Sequence, residues 1–143
     1  MNKLLLFIFL VIVSVGCNME TNQELSYSEV MIESTDQDVQ KFFNSMKEKN
    51  GVYLYQDAGD KLFVLLNSAT AIQGEQAIYF TDFDVKSDKE AVNIYFEEES
   101  TDDYANKELN NQVLYEVKLD KKYDVINLFK NNEDATFTTV SGR

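Results

Sequence analysis

One hairpin constrains the fold more than any other part of the sequence. Residues 52–56 and 61–67 have the length and the β-branched and aromatic content of strands. The Asp-Ala-Gly segment between them (57–59) is typical of a three-residue hairpin loop, in which a type I turn precedes a glycine in the left-handed bulge position. This loop predicts a register that pairs Gln56 with Asp60.

Both faces of the predicted hairpin are apolar. Successive side chains of a strand point to opposite faces, so the hairpin divides into two sets. One set is Val52, Leu54, Leu62, Val64 and Leu66, and the other is Tyr53, Tyr55, Phe63 and Leu65. We therefore expect a central hairpin, with a helix covering one side and a second sheet, or the curl of the same sheet, covering the other.

The remaining pattern predicts one helix and five further strands. A helix over residues 36–49 is indicated by apolar side chains at helical spacing, namely Val39, Phe42, Phe43 and Met46. The strands are expected at 76–86, 91–98, 112–120, 123–130 and 135–140. The predicted fold is mostly β (α+β): an antiparallel β-sandwich or partly open barrel of six or seven strands with one N-terminal amphipathic helix. Because the chain has no Pro, charge must protect its sheet edges.

The first 17 residues have the features of an export signal. Lys3 supplies a positive charge, residues 4–13 are an unbroken apolar run, and small residues precede Cys17. The apolar run is too short to span a bilayer, which needs about 20 apolar residues. We expect residues 1–16 to be removed on export.

Val13-Ser14-Val15-Gly16-Cys17 resembles the lipobox of bacterial lipoproteins, here of the Gram-positive type, with Ser14 where the family usually has an aliphatic residue. The resemblance implies that Cys17 takes a diacylglyceryl group, with acyl chains such as palmitate, and becomes the first residue of the mature protein. Cys17 is the only cysteine, so no intramolecular disulfide can form. Two acyl chains anchor a protein stably, at about 0.8 kcal/mol per buried CH2 group.

Three segments are expected: the signal (1–16), the lipidated Cys17 with a polar tether (17–30), and a single β-rich domain (31–143). Of the 13 basic residues only Lys3 lies in the signal, whereas all 25 acidic residues follow it, so the mature chain has a net charge of −13. This charge argues against nucleic-acid binding and against attraction to anionic lipids. We expect the protein at the extracytoplasmic face of the cell membrane, attached to the membrane by its lipid.

No catalytic motif is present, and common catalytic residue types are missing. The chain has no His, the commonest general base and a frequent metal ligand. Its only Arg is the last residue, Arg143. Paired carboxylates can hydrolyse glycosides without His, and the candidates are Asp82, Asp84, Glu97, Glu98 and Glu99. Their spacing gives no reason to pair any two, and the chain has no Trp on which to stack a sugar.

Two sets of residues are candidate binding sites. Carboxylates could bind calcium in one set, which is Glu97, Glu98, Glu99, Asp102 and Asp103. A solvated acidic loop is the plainer interpretation of this set, because it lacks the glycine and the closing Glu of an EF-hand loop. The second set is Tyr53, Tyr55 and Tyr95, because Tyr is favoured at recognition surfaces, although it is also a good strand residue.

These observations favour a non-enzymatic module of the cell envelope that binds a protein, a peptide or a small ligand. We expect no cofactor, with calcium as the one candidate. The mature chain also loosely resembles small lipoproteins of Gram-positive bacteria, some of which are labelled prolyl isomerases. A membrane-tethered folding helper is therefore an alternative, although the His, Cys, internal Arg and Trp that isomerase families use are missing from the mature domain. A calcium-binding surface domain is the other alternative.

Overall fold

The computed structural model of the protein describes residues 23–106 and 108–142. In chain order its elements are β1 (Ser26–Val30), a short 3-10 helix (Ile32–Ser34), α1 (Gln37–Asn44), β2 (Gly51–Gln56), β3 (Lys61–Asn67), β4 (Ala77–Asp88), β5 (Ala91–Thr101), β6 (Gln112–Lys118), β7 (Val125–Lys130), β8 (Glu133–Ala135) and β9 (Thr139–Gly142). The predicted signal and Cys17 lie outside the described residues.

The strands form two sheets that are not closed, which fits a β-sandwich and not a barrel. The first sheet has the order β1-β6-β3-β2-β9, and the second has the order β4-β5-β7-β8. Both sheets are mixed, because β2 pairs with β9 and β5 pairs with β7 in parallel. The expectation of an antiparallel sandwich is therefore wrong at these two pairs. In each pair the chain visits the other sheet before returning, so no hairpin fixes the relative direction of the strands.

The helix α1 is shorter than predicted, and it is not the first element of the described chain. Strand β1 precedes it and pairs with β6 from Ser26 opposite Lys118 to Val30 opposite Leu114. The predicted tether (17–30) is thus too long, since its last five residues are an edge strand. In the described part of the chain, no helix is long and apolar enough to cross a membrane.

The central hairpin has the predicted faces but not the predicted register. Gln56 lies opposite Leu62, not Asp60, and the Asp57 N–H donates to the Lys61 carbonyl at 3.1 Å. Gly59 does not have a positive φ, so the predicted turn is also wrong. The register differs by two residues, and a shift by an even number leaves every side chain on its predicted face.

The hairpin contributes to two apolar cores. Between the sheets, Leu54, Val64 and Leu66 pack in one cluster with second-sheet residues that include Phe83, Val92, Ile94, Phe96 and Leu128. On the opposite face, Tyr53 and Leu65 join Val39 and Phe43 of α1 in a second cluster. A helix and a second sheet therefore cover the two sides of the hairpin, as its sequence predicts.

A buried asparagine joins the turn after α1 to the first sheet. Asn67 is 2% exposed. Its Nδ2 donates to three carbonyl oxygens at 2.8–3.0 Å, those of Met46, Lys47 and Lys49. Its Oδ1 accepts from the Ala69 N–H and from Gln112 Nε2. This one side chain thus satisfies backbone groups of the turn and fixes the end of β3.

We predict that Asn67→Leu lowers the free energy of unfolding by about 2–3 kcal/mol, because several polar groups that are largely shielded from water lose their hydrogen-bond partner. Urea denaturation followed by circular dichroism measures the change. The matched control is Asn44→Leu at an exposed helix position, which is expected to change stability by less than about 0.5 kcal/mol. Equal effects of the two substitutions would contradict the role given to Asn67.

Candidate ligand-binding site

The structure separates the three candidate tyrosines. Tyr53 and Tyr55 are 1% and 5% exposed and belong to the cluster beneath α1. The Tyr53 hydroxyl donates to the Lys49 carbonyl at 2.9 Å, and burial raises the pKa of Tyr53. The assignment of these two tyrosines to a ligand site is therefore wrong, because the helix covers them.

Tyr95 lies on the second sheet, on the face turned away from the core. Its ring stacks on Phe129 with centroids 4.8 Å apart, and Lys86 Nζ lies 5.3 Å from its centroid. The helix and Tyr95 are thus on opposite sides of the sandwich. Of the three candidates, Tyr95 alone is accessible to a ligand.

The candidate calcium ligands make separate contacts. Glu97, Glu98 and Glu99 are consecutive in β5, so their side chains alternate between the two faces of the sheet. Glu99 accepts a hydrogen bond from the Tyr79 hydroxyl at 2.6 Å, whereas Asp102 accepts one from Gln76. Asp103 accepts from the Ala105 N–H. Over residues 23–106 and 108–142, no group of three acidic side chains is arranged to hold a metal ion, and calcium binding stays a prediction.

Asp82 and Asp84 have a structural role at the free edge of β4. Asp82 accepts the Phe83 N–H and Asp84 accepts the Val85 N–H, each at 2.9 Å. These are alternate amides, as expected for the groups that point away from β5. Lys86 lies 2.7 Å from Asp84, and its hydrogen bond lowers the pKa of that carboxyl group. The two aspartates thus occupy edge amides that another strand would need, and they add charge to the edge.

A cleft opens between the two sheets at the end of the sandwich where β3 ends, and we call it the end cleft. Its volume is about 430 Å³, within the usual range for small-ligand pockets. Apolar side chains of both sheets form its floor: Val52 and Ile78 are half-buried, whereas Phe80, Phe96 and Leu128 are core residues that are 7%, 2% and 4% exposed. Polar side chains at its mouth include Glu98, Lys130, Asp134 and Thr136.

Hydrogen bonds hold the wall of the end cleft in place. The Asn50 side chain donates to the Thr70 carbonyl at 2.7 Å and accepts the Thr70 N–H at 3.0 Å. Thr138 bonds to Val52 through its N–H and through its Oγ1. Gly51 permits this close approach, since a Cβ there would lie 2.4 Å from Thr138 Oγ1. The wall of the end cleft is therefore preformed, because contacts within the protein hold it in place.

An ion pair lies at the mouth of the end cleft. Lys130 Nζ is 3.0 Å from Glu98 Oε1, and the Glu98 side chain is only 24% exposed. The Glu98 N–H donates to Asn131 Oδ1, and this bond holds β5 at Glu98 against the turn that follows β7. No residue of the described ranges donates a hydrogen bond to the second carboxylate oxygen, Oε2. A partly buried carboxylate thus has one free acceptor at the mouth.

A second cavity lies between the loops at 68–76 and 102–111 and is smaller, about 130 Å³. Loop segments form most of it, and the Tyr104 hydroxyl donates across it to the Glu75 carbonyl. Strand residues, by contrast, form the floor of the end cleft. Sites on strands hold their geometry better than sites on loops, so the end cleft is the stronger candidate.

Comparison of the chain with protein-family models, with curated proteins and with solved structures finds no match. The case for a site therefore depends on the geometry of the end cleft. Of its residues, the sequence marks only Glu98 as a candidate, as a carboxylate for glycoside hydrolysis and as a calcium ligand. Phe80, Phe96 and Leu128 have the pattern of ordinary strand residues, and no sequence signal distinguishes a core position from the floor of a cleft.

We predict that Asp82→Ala combined with Asp84→Ala makes the protein self-associate, because the free edge of β4 then offers unpaired amides to a second chain. Light scattering coupled to gel filtration gives the mass of the species formed. The control pair, Asp88→Ala with Asp124→Ala, removes the same charge and is expected to leave the mass unchanged. Association of both double variants would show that charge alone keeps the chains apart.

Proposed function

We propose that the chain is a lipid-anchored binding module at the extracytoplasmic face of the cell membrane, and that the end cleft is its ligand site. The lipobox-like segment at 13–17 supports the anchor, and the net charge of −12 is unsuited to nucleic acid. The observation that carries the binding role is the end cleft itself: an apolar floor between two sheets, with an ion pair at its mouth.

The chemistry of the end cleft suits binding better than catalysis. Its ionisable residues are Glu98, Lys130 and Asp134, and the first two are paired with each other. Apolar burial supplies affinity in such a site, and a few polar groups orient the ligand. An envelope protein, a peptide or a small molecule that presents an apolar group would fit these requirements.

A folding helper with prolyl isomerase activity is the second candidate. A proline ring would pack against Ile78, which is half-buried in the floor beside the edge-to-face pair of Phe80 and Phe96, whose centroids are 6.1 Å apart. A proline-containing tetrapeptide assay distinguishes the two functions, since catalysis that an Ile78→Lys substitution in the floor abolishes would favour the isomerase. A calcium-binding surface domain remains the weaker alternative, because the described residues do not bring its carboxylates together.

We predict that Cys17 carries the anchor. Cells fed an alkyne-tagged palmitate are expected to label the wild-type chain, whereas Cys17→Ser abolishes the label, because a hydroxyl group does not replace the thiol in lipid transfer. Gel fluorescence after coupling of a dye measures incorporation. Equal labelling of the variant would exclude Cys17 as the acceptor and remove the basis for a lipid anchor.

We predict that the end cleft contacts the ligand in living cells. A photo-crosslinking amino acid in place of Thr136, which is exposed and lines the end cleft, is expected to give one discrete adduct. The control position is Lys122, exposed after β6 at the opposite end of the sandwich. Mass spectrometry identifies the adduct. Equal adducts from both positions, or none from Thr136, would contradict the proposed site.

A further inference from the structure

We infer that the end cleft takes an apolar group bearing a primary ammonium, with the ammonium bound by Glu98. This inference rests on the proposed function and names the class of ligand for the same cleft. The ammonium would donate to Glu98 Oε2, which has no donor among the described residues, while the apolar part packs against Val52 and Ile78, the half-buried apolar side chains of the floor. Hydrogen bonds that involve charged groups are the strong ones.

The charges around the end cleft favour a cation over an anion. Its lining has two carboxylates, Glu98 and Asp134, and one ammonium, Lys130. An anionic ligand that used a remaining N–H donor of Lys130 would lie beside the Glu98 carboxylate, which would repel it. A cationic ligand leaves the Glu98–Lys130 contact at 3.0 Å intact and uses the other oxygen.

The field of the whole chain acts in the same direction. With 25 acidic and 13 basic residues, the protein attracts cations and repels anions before any contact is made. The Glu98 carboxylate is also partly removed from water, with a 24% exposed side chain. Water therefore screens an ammonium at Glu98 less than it screens one beside the exposed carboxylates of Glu97 and Glu99 in the same strand.

Two sources share this chemistry: the free amino terminus of a peptide with an apolar first residue, and a small apolar amine. The test uses the full chain as purified from its host, held in neutral phosphatidylcholine nanodiscs, with empty nanodiscs as the blank. The probes are leucyl-phenylalanine amide, its N-acetyl and N-succinyl forms, and phenethylammonium. Calorimetric titration gives the Kd for each probe.

The free dipeptide amide is expected to bind about tenfold or more tightly than its acetyl form, and the anionic succinyl form is expected to bind weakest. Glu98→Gln should remove this preference, so that the amine and acetyl forms bind this variant with equal affinity. The control Glu97→Gln makes the same charge change at an exposed neighbour on the other face and should keep the preference. Lys130→Gln should strengthen amine binding, because both oxygens of Glu98 become free.

Tight binding of either amine supports the inference, and the amine that binds better identifies the source. Equal affinity for the amine and acetyl forms, no effect of Glu98→Gln, or no binding of either amine overturns it. Thermal melts of the variants show that loss of binding is not loss of fold. If a crosslinked adduct forms at Thr136 but the wild-type chain binds the amine and acetyl forms equally, the end cleft remains the proposed site and only the role of the ammonium is rejected.

Discussion

The β2–β3 hairpin has apolar side chains on both faces, and the gain from burying both of them organises the elements that pack around it. One face lies against the second sheet through Leu54, Val64 and Leu66. The other face contacts α1, where Val39 and Phe43 are fully buried. If one face of the hairpin were polar, water could solvate that face, and α1, which lies between β1 and β2 in the chain, would have no apolar surface to cover.

The end cleft follows from where this hairpin stops. The first sheet ends its central strand at Asn67, and the half-buried Val52 and Ile78 line an opening there, together with the edges of buried core side chains. The asparagine amides keep the opening from collapsing, because Asn67 holds the turn after α1 and Asn50 holds the loop at Thr70. Packing thus positions the floor, and a few hydrogen bonds position the wall.

Local periodicity predicts the parts of this structure that depend on a single segment. The faces of the hairpin and the apolar stripe of α1 are confirmed, since both follow from which residues in one segment are apolar. Strand β1 could not be predicted, because four of its five residues are exposed. The parallel pairs and the end cleft combine distant segments, and neither has a signature in any one of them. Sequence proximity groups the acids of β5, whereas strand geometry turns successive side chains to opposite faces of the sheet.

The most direct test of the account is an amide chemical-shift titration of the 15N-labelled protein with leucyl-phenylalanine amide. The account predicts that the shifts concentrate at the end cleft, in the segments around Val52, Glu98 and Lys130. Shifts confined to the outer face around Tyr95 and Phe129 would contradict it and would place the binding surface on the opposite side of the second sheet.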